Sequence, residues 1–218
     1  MHLDARQSTR LTPRDRELLD TLVRRVRVLT LEQIARTWFA DTVTPRRHAD
    51  IRLVRLERAG LVHRDTMIAH PELLLDLPMA VWVPGREPPD SVDLARRTAS
   101  RWSAAPQSCK LVIASKLAGT WLGGRGGRWP RHMELSHDIS LAGVFLKIRA
   151  QHPDRAAAWV SEDLLGRCGF ENADRRPDAL IDTQVAPRAI ELAGLYRPDK
   201  FRSFHAFCEN QNLAYEIW

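Results

Sequence analysis

Hydrophobic side chains in the first sixty residues recur every three to four positions, which is the spacing of one face of an α-helix. Each of three predicted helices opens on a threonine, at Thr12, Thr30 and Thr44. Threonine there can accept a hydrogen bond from a free backbone N–H of the first turn. The inward-facing residues are Leu18, Leu19, Leu22, Val23 and Val26 in the first helix, Ile34, Ala35, Trp38 and Phe39 in the second, and Ala49, Leu53 and Leu56 in the third. The third helix is predicted to end at Ala59-Gly60.

Two short hydrophobic segments after these helices predict a β-ribbon. Residues 61–64 leave the third helix as a strand, and residues 78–83 return as its partner. Three helices followed by a ribbon resemble the winged helix-turn-helix family, and we predict such a domain over residues 1–85. In that family the third helix lies in the major groove of DNA. The resemblance implies DNA contacts from the outer face of this helix, at Thr44, Arg46, Arg47, His48 and Arg52.

Residues 86–130 are predicted to form a connector, with one or two strands, that combines positive charge with tryptophan. No acidic residue occurs between Asp93 and Glu134. Such a composition can follow a phosphate backbone and stack on bases, although we expect the tryptophans chiefly to pack internally. The glycine cluster Gly123–Gly127 lacks the Lys-Ser/Thr ending of a phosphate loop, and we interpret it as a flexible turn. The connector residues assigned to DNA are Arg96, Arg97, Arg101, Arg125 and Arg128, and the tryptophans are Trp102, Trp121 and Trp129.

Residues 131–218 predict a helix, three strands, a second helix and a final strand. The first helix is predicted to begin with Ser136 as its N-cap. The second starts at residues 196–200 and buries one apolar side. The predicted strands cover residues 157–160, 178–182, 188–192 and 213–218, and the apolar side of the second helix carries Phe201, Phe204 and Cys208.

Two of these strands carry a carboxylate among apolar neighbours. Asp178 opens one strand and Glu191 lies near the end of the next, with a turn at residues 183–187 that is short enough to close a hairpin. A hairpin would bring the two carboxylates side by side, and such oxygen donors suit a hard divalent cation. The alternative is that they are acids in water at the edge of the sheet, or acids paired with arginine.

This order of elements, with Pro177-Asp178 on one strand and Glu191 on the next, resembles the core of the restriction-endonuclease-like PD-(D/E)xK nucleases. A winged helix upstream of such a core further resembles the replication-relaxation family of plasmid and mobile-element proteins. A histidine-containing helix, a Trp-x-x-Glu strand end and a Pro-Asp-Ala strand recur in that family. Here these are His137, Trp159 to Glu162, and Pro177 to Ala179.

The resemblance implies that Asp178 and Glu191 would hold Mg²⁺, with Glu162 as a third ligand. The chain departs from the nuclease pattern where a lysine is expected two residues after the second acid, because that position is Ala193. Lys200 could bring an ammonium group back to the site. A core that no longer cuts is the simpler interpretation, so the cofactor expectation is none, or Mg²⁺ if the core is catalytic.

Composition supports a polyanionic partner. The formal net charge is +6 and the pI is about 9.8. No apolar run predicts a membrane span, the N-terminal residues show no signal-peptide core, and three scattered cysteines indicate reduced thiols. We therefore expect a cytoplasmic protein that binds double-stranded DNA and no membrane.

The prediction is an α+β or α/β chain with a winged helix-turn-helix domain at residues 1–85, a basic connector at residues 86–130 and a nuclease-like αβββαβ domain at residues 131–218. The favoured function is DNA binding, with a regulatory role in transcription or accessory to a plasmid or mobile element implied by the family resemblance. The alternatives are a Mg²⁺-dependent endonuclease and a protein-interaction adaptor. Pairing with a second copy is left open.

Overall fold

The computed structural model describes residues 10–168, 176–183 and 186–218, and these form a mixed α+β structure. A π-helical turn at Thr21–Arg25 follows the first helix, and a 3-10 helix at Glu162–Cys168 follows the fifth strand. The helices are α1 (Pro13–Asp20), α2 (Leu31–Trp38), α3 (Pro45–Arg58), α4 (Ser91–Thr98), α5 (Lys116–Leu122), α6 (His132–Gln151), α7 (Pro153–Ala157) and α8 (Pro198–Asn210). The strands are β1 (Leu29–Thr30), β2 (Val62–Ala69), β3 (Ala80–Trp82), β4 (Gln107–Ala114), β5 (Trp159–Ser161), β6 (Ala179–Ile181), β7 (Arg188–Glu191) and β8 (Ala214–Ile217).

The first three helices confirm the predictions from sequence. The hydroxyl of Thr12 accepts a hydrogen bond from the Asp15 N–H, and the Asp15 carboxylate accepts one from the Thr12 N–H. Thr30 and Gln33 form the same reciprocal pair at α2. The residues predicted to face inward are buried in all three helices. Thr44 differs, because its side chain makes no capping bond.

The predicted ribbon is wrong in its second strand. β2 pairs antiparallel with β4, from Val62 opposite Ala114 to Ala69 opposite Gln107, and β1 pairs with the other edge of β4. The predicted return segment instead contains β3, which pairs with β8 in the second sheet. Burial explains why β2 pairs with β4 and not with β3. One face of β4 packs into a core with Val28 and Ile139, whereas Trp82 of β3 packs in a different core.

The chain divides into two compact units that are not continuous in sequence. The first comprises the chain up to Ala69 together with Gln107–Ile139, and the second comprises His70–Pro106 and Ser140–Trp218. This division crosses the predicted boundaries at residues 85 and 130. The 37-residue segment between β2 and β4 belongs to the second unit, so it is an insertion into the ribbon of the first.

The second unit contains a five-stranded sheet of order β3-β8-β7-β6-β5. The predicted β6–β7 hairpin is confirmed, with Ala179 opposite Ile190 and Ile181 opposite Arg188. β8 runs parallel to β7, and α8 packs Phe204 on the same core as Tyr215. The predicted N-cap at Ser136 is wrong, because α6 begins four residues earlier, at His132.

In the described parts of the chain, no helix is long and apolar enough to cross a membrane.

Candidate nucleic-acid interface and carboxylate row

Positive charge is concentrated in the first unit. That unit holds 19 of the 33 Lys and Arg residues and 11 of the 27 Asp and Glu residues, so its formal charge is +8 (19 minus 11). The second unit holds the remaining 14 basic and 16 acidic residues, which gives −2 (14 minus 16). The surface suited to a polyanion is therefore on the first unit.

The outer face of α3 carries arginine at helical spacing. Arg47, Ile51, Arg55 and Arg58 follow one another at intervals of four, four and three residues, and all four are exposed. Across the described ranges, neither Arg47, Arg55 nor Arg58 makes an ion pair or a side-chain hydrogen bond. Ala49, Leu53 and Leu56 on the opposite face are buried, so the packing of α3 directs these guanidinium groups into solvent.

Among the residues predicted from sequence, Thr44, His48 and Arg46 lie on the exposed N-terminal turns of α3. The Thr44 hydroxyl is 3.4 Å from Nδ1 of His48. Arg46 donates from Nε to Glu32 at 3.0 Å, and both partners are exposed. Such a pair contributes little to stability, and Arg46 can exchange Glu32 for a phosphate.

Arg52 occupies a different environment from the other predicted DNA contacts. Its guanidinium donates to both oxygens of Asp15, at 2.8 and 2.5 Å, and to the carbonyl of Arg10 at 2.9 Å. The side chain of Asp15 is only 2% exposed. Burial raises the pKa of Asp15, but hydrogen bonds from Arg52 and Thr12 outweigh it and hold the pKa below its ordinary value. We therefore assign Arg52 to the stability of the first unit.

Arg55 and Arg58 were missed by the sequence analysis. The signal was present, since both continue the spacing set by Arg47 on the face opposite Leu53.

The side of α3 that faces the ribbon is held by ion pairs. Arg64 on β2 donates to Asp50 at 2.5 Å and lies 3.8 Å from Glu57. Lys110 on β4 lies 4.0 Å from the same Asp50. These contacts fix the angle of α3 against the β2–β4 ribbon, because they join the helix to both strands.

The arginines of the predicted connector are divided between the two units. Arg96 pairs with Asp93, and Arg97 donates to the carbonyl of Met79, all within the second unit. Arg125 and Arg128 are exposed in the first unit, where the described residues offer them no ionic partner.

Arg101 is a structural residue of the second unit. Its guanidinium donates to the carbonyl oxygens of Ala193 and Trp218, the latter at 2.6 Å. Burial and the nearby charge of Arg97 lower the pKa of Arg101 to about 10. Ala193 is the position at which the nuclease pattern would place lysine, so an arginine from the inserted segment lies against that backbone.

Three carboxylates lie in one register row across β5, β6 and β7. The pairings continue by one position beyond Ser161–Ala179 and Ala179–Ile190, which places Glu162 opposite Asp178 and Asp178 opposite Glu191. The Glu162 N–H donates to the Asp178 carbonyl at 3.1 Å, and the Leu192 N–H donates to Asp178 Oδ2 at 2.7 Å. We refer to Glu162, Asp178 and Glu191 as the carboxylate row.

Tyr196 connects this row to Lys200. The Tyr196 hydroxyl donates to Glu191 Oε1 at 3.0 Å, and the Lys200 ammonium lies 3.3 Å from the centroid of the Tyr196 ring. Lys200 is therefore held one side chain away from Glu191 by a cation–π contact. The sequence identified Lys200 but gave no indication that Tyr196 would hold it.

Within the described residues, no group of three or more His, Cys, Asp or Glu side chains is placed to hold a metal ion. One oxygen each of Asp178 and Glu191 already accepts a protein hydrogen bond. His137, the histidine of the family pattern, lies in the first unit, with Nδ1 at 3.5 Å from Asp138.

Comparison of the chain with protein-family models, curated proteins and solved structures gives no match.

Proposed function

We propose that this protein binds double-stranded DNA through α3. The observation that carries the proposal is the exposed stripe of Arg47, Arg55 and Arg58, which has no ionic partner among the described residues and lies in a unit of charge +8. The order of three helices followed by an antiparallel sheet agrees with the winged helix-turn-helix interpretation. In that arrangement α3 enters the major groove, where arginine can contact guanine edges and phosphates.

The second unit has a different role in this proposal. Its charge of −2 and the use of Arg101 for internal hydrogen bonds make it a poor surface for DNA. We propose that it is a nuclease-like scaffold kept as an assembly surface, in a regulator or accessory factor of the replication-relaxation type. The order helix, three strands, helix, strand supports this, although α7 and the 3-10 helix add to it.

The test is the salt dependence of the affinity for duplex DNA. About four phosphate contacts, from the α3 arginines and from Arg125 or Arg128, predict a slope of log K against log salt between about −3 and −5. The affinity should then fall roughly 100-fold between about 50 and 200 mM salt. Fluorescence anisotropy with a labelled duplex measures this. Absence of binding, or binding that is indifferent to salt, would favour the protein-interaction adaptor instead.

A Mg²⁺-dependent endonuclease is the second candidate, because the carboxylate row and the Lys200 ammonium lie close to Tyr196 in one unit. Ala193 stands where the nuclease pattern places a lysine, so we expect supercoiled plasmid to stay intact in Mg²⁺ and in Mn²⁺. Nicking by the intact protein that is lost in Asp178→Ala would show that the scaffold is catalytic.

A further inference from the structure

The outer face of α3 has a hydrophobic residue at its centre. Ile51 is two positions away from both Ala49 and Leu53, and two positions correspond to about 200° around the axis of an α-helix. Ala49 and Leu53 are buried in the first unit, so Ile51 lies on almost the opposite side of the helix from the core. Ile51 is 43% exposed.

Every other exposed residue of α3 is either charged or a histidine. Arg47 lies four residues before Ile51 and Arg55 lies four residues after it, and residues four apart are neighbours on a helix surface. Ile51, His48 and Arg55 also line one open groove of about 420 Å³. Ile51 and the two arginines therefore share one surface, so a ligand that contacts both arginines also meets the isoleucine. The other exposed residues of α3 are Arg46, Arg47, His48, Arg55, Glu57 and Arg58.

The major groove of DNA offers such a side chain one methyl group. The base edges there present hydrogen-bond donors and acceptors, and thymine adds a methyl group at C5. An isoleucine placed against the other edges would cover polar atoms without giving them a hydrogen bond, which costs free energy. Against thymine it covers an apolar group, and burial of that group is favourable. Ile51 therefore matches thymine better than it matches the other three bases.

We propose that Ile51 makes duplex binding sensitive to the methyl group at C5 of a pyrimidine, which is carried by thymine and also by 5-methylcytosine. This inference rests on the proposed function, because α3 must enter the major groove for Ile51 to reach a base. It goes beyond that function by assigning a base preference to one side chain. Arg47 and Arg55 supply affinity on either side of Ile51, and Ile51 selects the base that it covers.

The test begins with the duplex that the intact protein enriches from a pool of randomised sequences. That duplex is then made with uracil in place of every thymine, which removes only the C5 methyl groups. Fluorescence anisotropy should show that the intact protein binds the uracil duplex about fourfold more weakly, as expected for the loss of one buried methyl contact. Single uracil substitutions locate the sensitive thymine. Cytosine at that position should weaken binding, and 5-methylcytosine there should restore part of the affinity.

Variants at Ile51 connect this effect to one side chain. Ile51→Ala should bind the thymine duplex about fourfold more weakly than the intact protein does, and it should not distinguish thymine from uracil, because the shortened side chain no longer reaches the methyl group. Ile51→Leu keeps the hydrophobic volume and should keep most of the difference. Ile68→Ala is the matched control, because Ile68 is 54% exposed on β2 in the same unit, and this variant should discriminate as the intact protein does.

Three results would overturn the inference: equal binding of the thymine and uracil duplexes by the intact protein, a difference that persists in Ile51→Ala, or a difference that Ile68→Ala also abolishes. Duplex binding without enrichment of any sequence would overturn it as well. In each case the proposed function stands if Arg47→Ala with Arg55→Ala weakens binding of the same duplex. If no duplex is bound, the proposed function fails together with the inference.

Discussion

Replacing Arg52 with alanine should lower the free energy of unfolding by about 3 to 5 kcal/mol. Asp15 is buried, and its two oxygens accept hydrogen bonds from Arg52 in addition to those from Thr12. Removal of the guanidinium leaves a buried carboxylate without its counter-ion. Chemical denaturation followed by circular dichroism measures the change.

Arg46→Ala is the control for this prediction, because Arg46 belongs to the same helix and also forms an ion pair. That pair with Glu32 is exposed, so the free energy of unfolding should change by less than about 0.5 kcal/mol. Equal effects of the two substitutions would show that the Asp15–Arg52 contact does not hold the domain together.

The pH dependence follows from the lowered pKa of Asp15. A carboxyl group whose pKa is lower in the folded state stabilises the fold above its unfolded pKa, here near 3.8, and this stabilisation is lost as the pH falls through the folded value. The difference in stability between the intact protein and Arg52→Ala should therefore be constant at neutral pH and shrink below about pH 4.

The helices could be predicted because their signals are local. Thr12 and Thr30 each find their capping partner three residues away, so the sequence contains the whole interaction. The β6–β7 hairpin was predictable for the same reason, since its two strands are separated by only a short stretch of sequence.

The pairing of β2 was not predictable from local signals. Two short apolar segments follow β2, and the partner is the more distant one, beyond a 37-residue insertion. Residues 78–83 and β4 look equally suitable as the partner strand of β2. Only the hydrophobic core into which each segment packs distinguishes them. Trp82 packs beside Tyr215, which lies more than 130 residues away in the sequence.

The site was partly predictable. The outer face of α3 follows from helical spacing, and that spacing also contains the missed Arg55 and Arg58. Arg52 serves a structural role because it contacts Asp15 in α1, and the spacing of residues within α3 cannot reveal that contact. Lys200 and Arg101 could be picked out from the sequence because they are charged. Their partners could not, because the contact of Lys200 with Tyr196 and that of Arg101 with the Ala193 carbonyl form only in the folded chain.

The second large effect concerns DNA affinity. The double substitution Arg47→Ala with Arg55→Ala should weaken duplex binding by about 100-fold, because each arginine contact with a base edge or phosphate contributes about 1 to 3 kcal/mol. Both side chains are exposed and make no ion pair among the described residues, so the free energy of unfolding should stay within about 1 kcal/mol of that of the intact protein.

The matched control removes two positive charges from the second unit instead of from α3. Arg96→Ala with Arg202→Ala breaks exposed pairs with Asp93 and Asp199, one helical turn away in each case. If the net charge of the whole chain were sufficient for binding, this variant would lose as much affinity as the α3 variant. If α3 docks on the duplex, the control should lose less than about threefold.

The central claim is that α3 is the surface that meets duplex DNA, and one comparison tests it most directly. Fluorescence anisotropy with one labelled duplex at about 100 mM salt should be measured for the intact protein, the Arg47/Arg55 variant and the Arg96/Arg202 variant. The account predicts a loss of about 100-fold for the α3 variant alone, with all three proteins equally folded. Equal losses in both variants, or none in either, would contradict it.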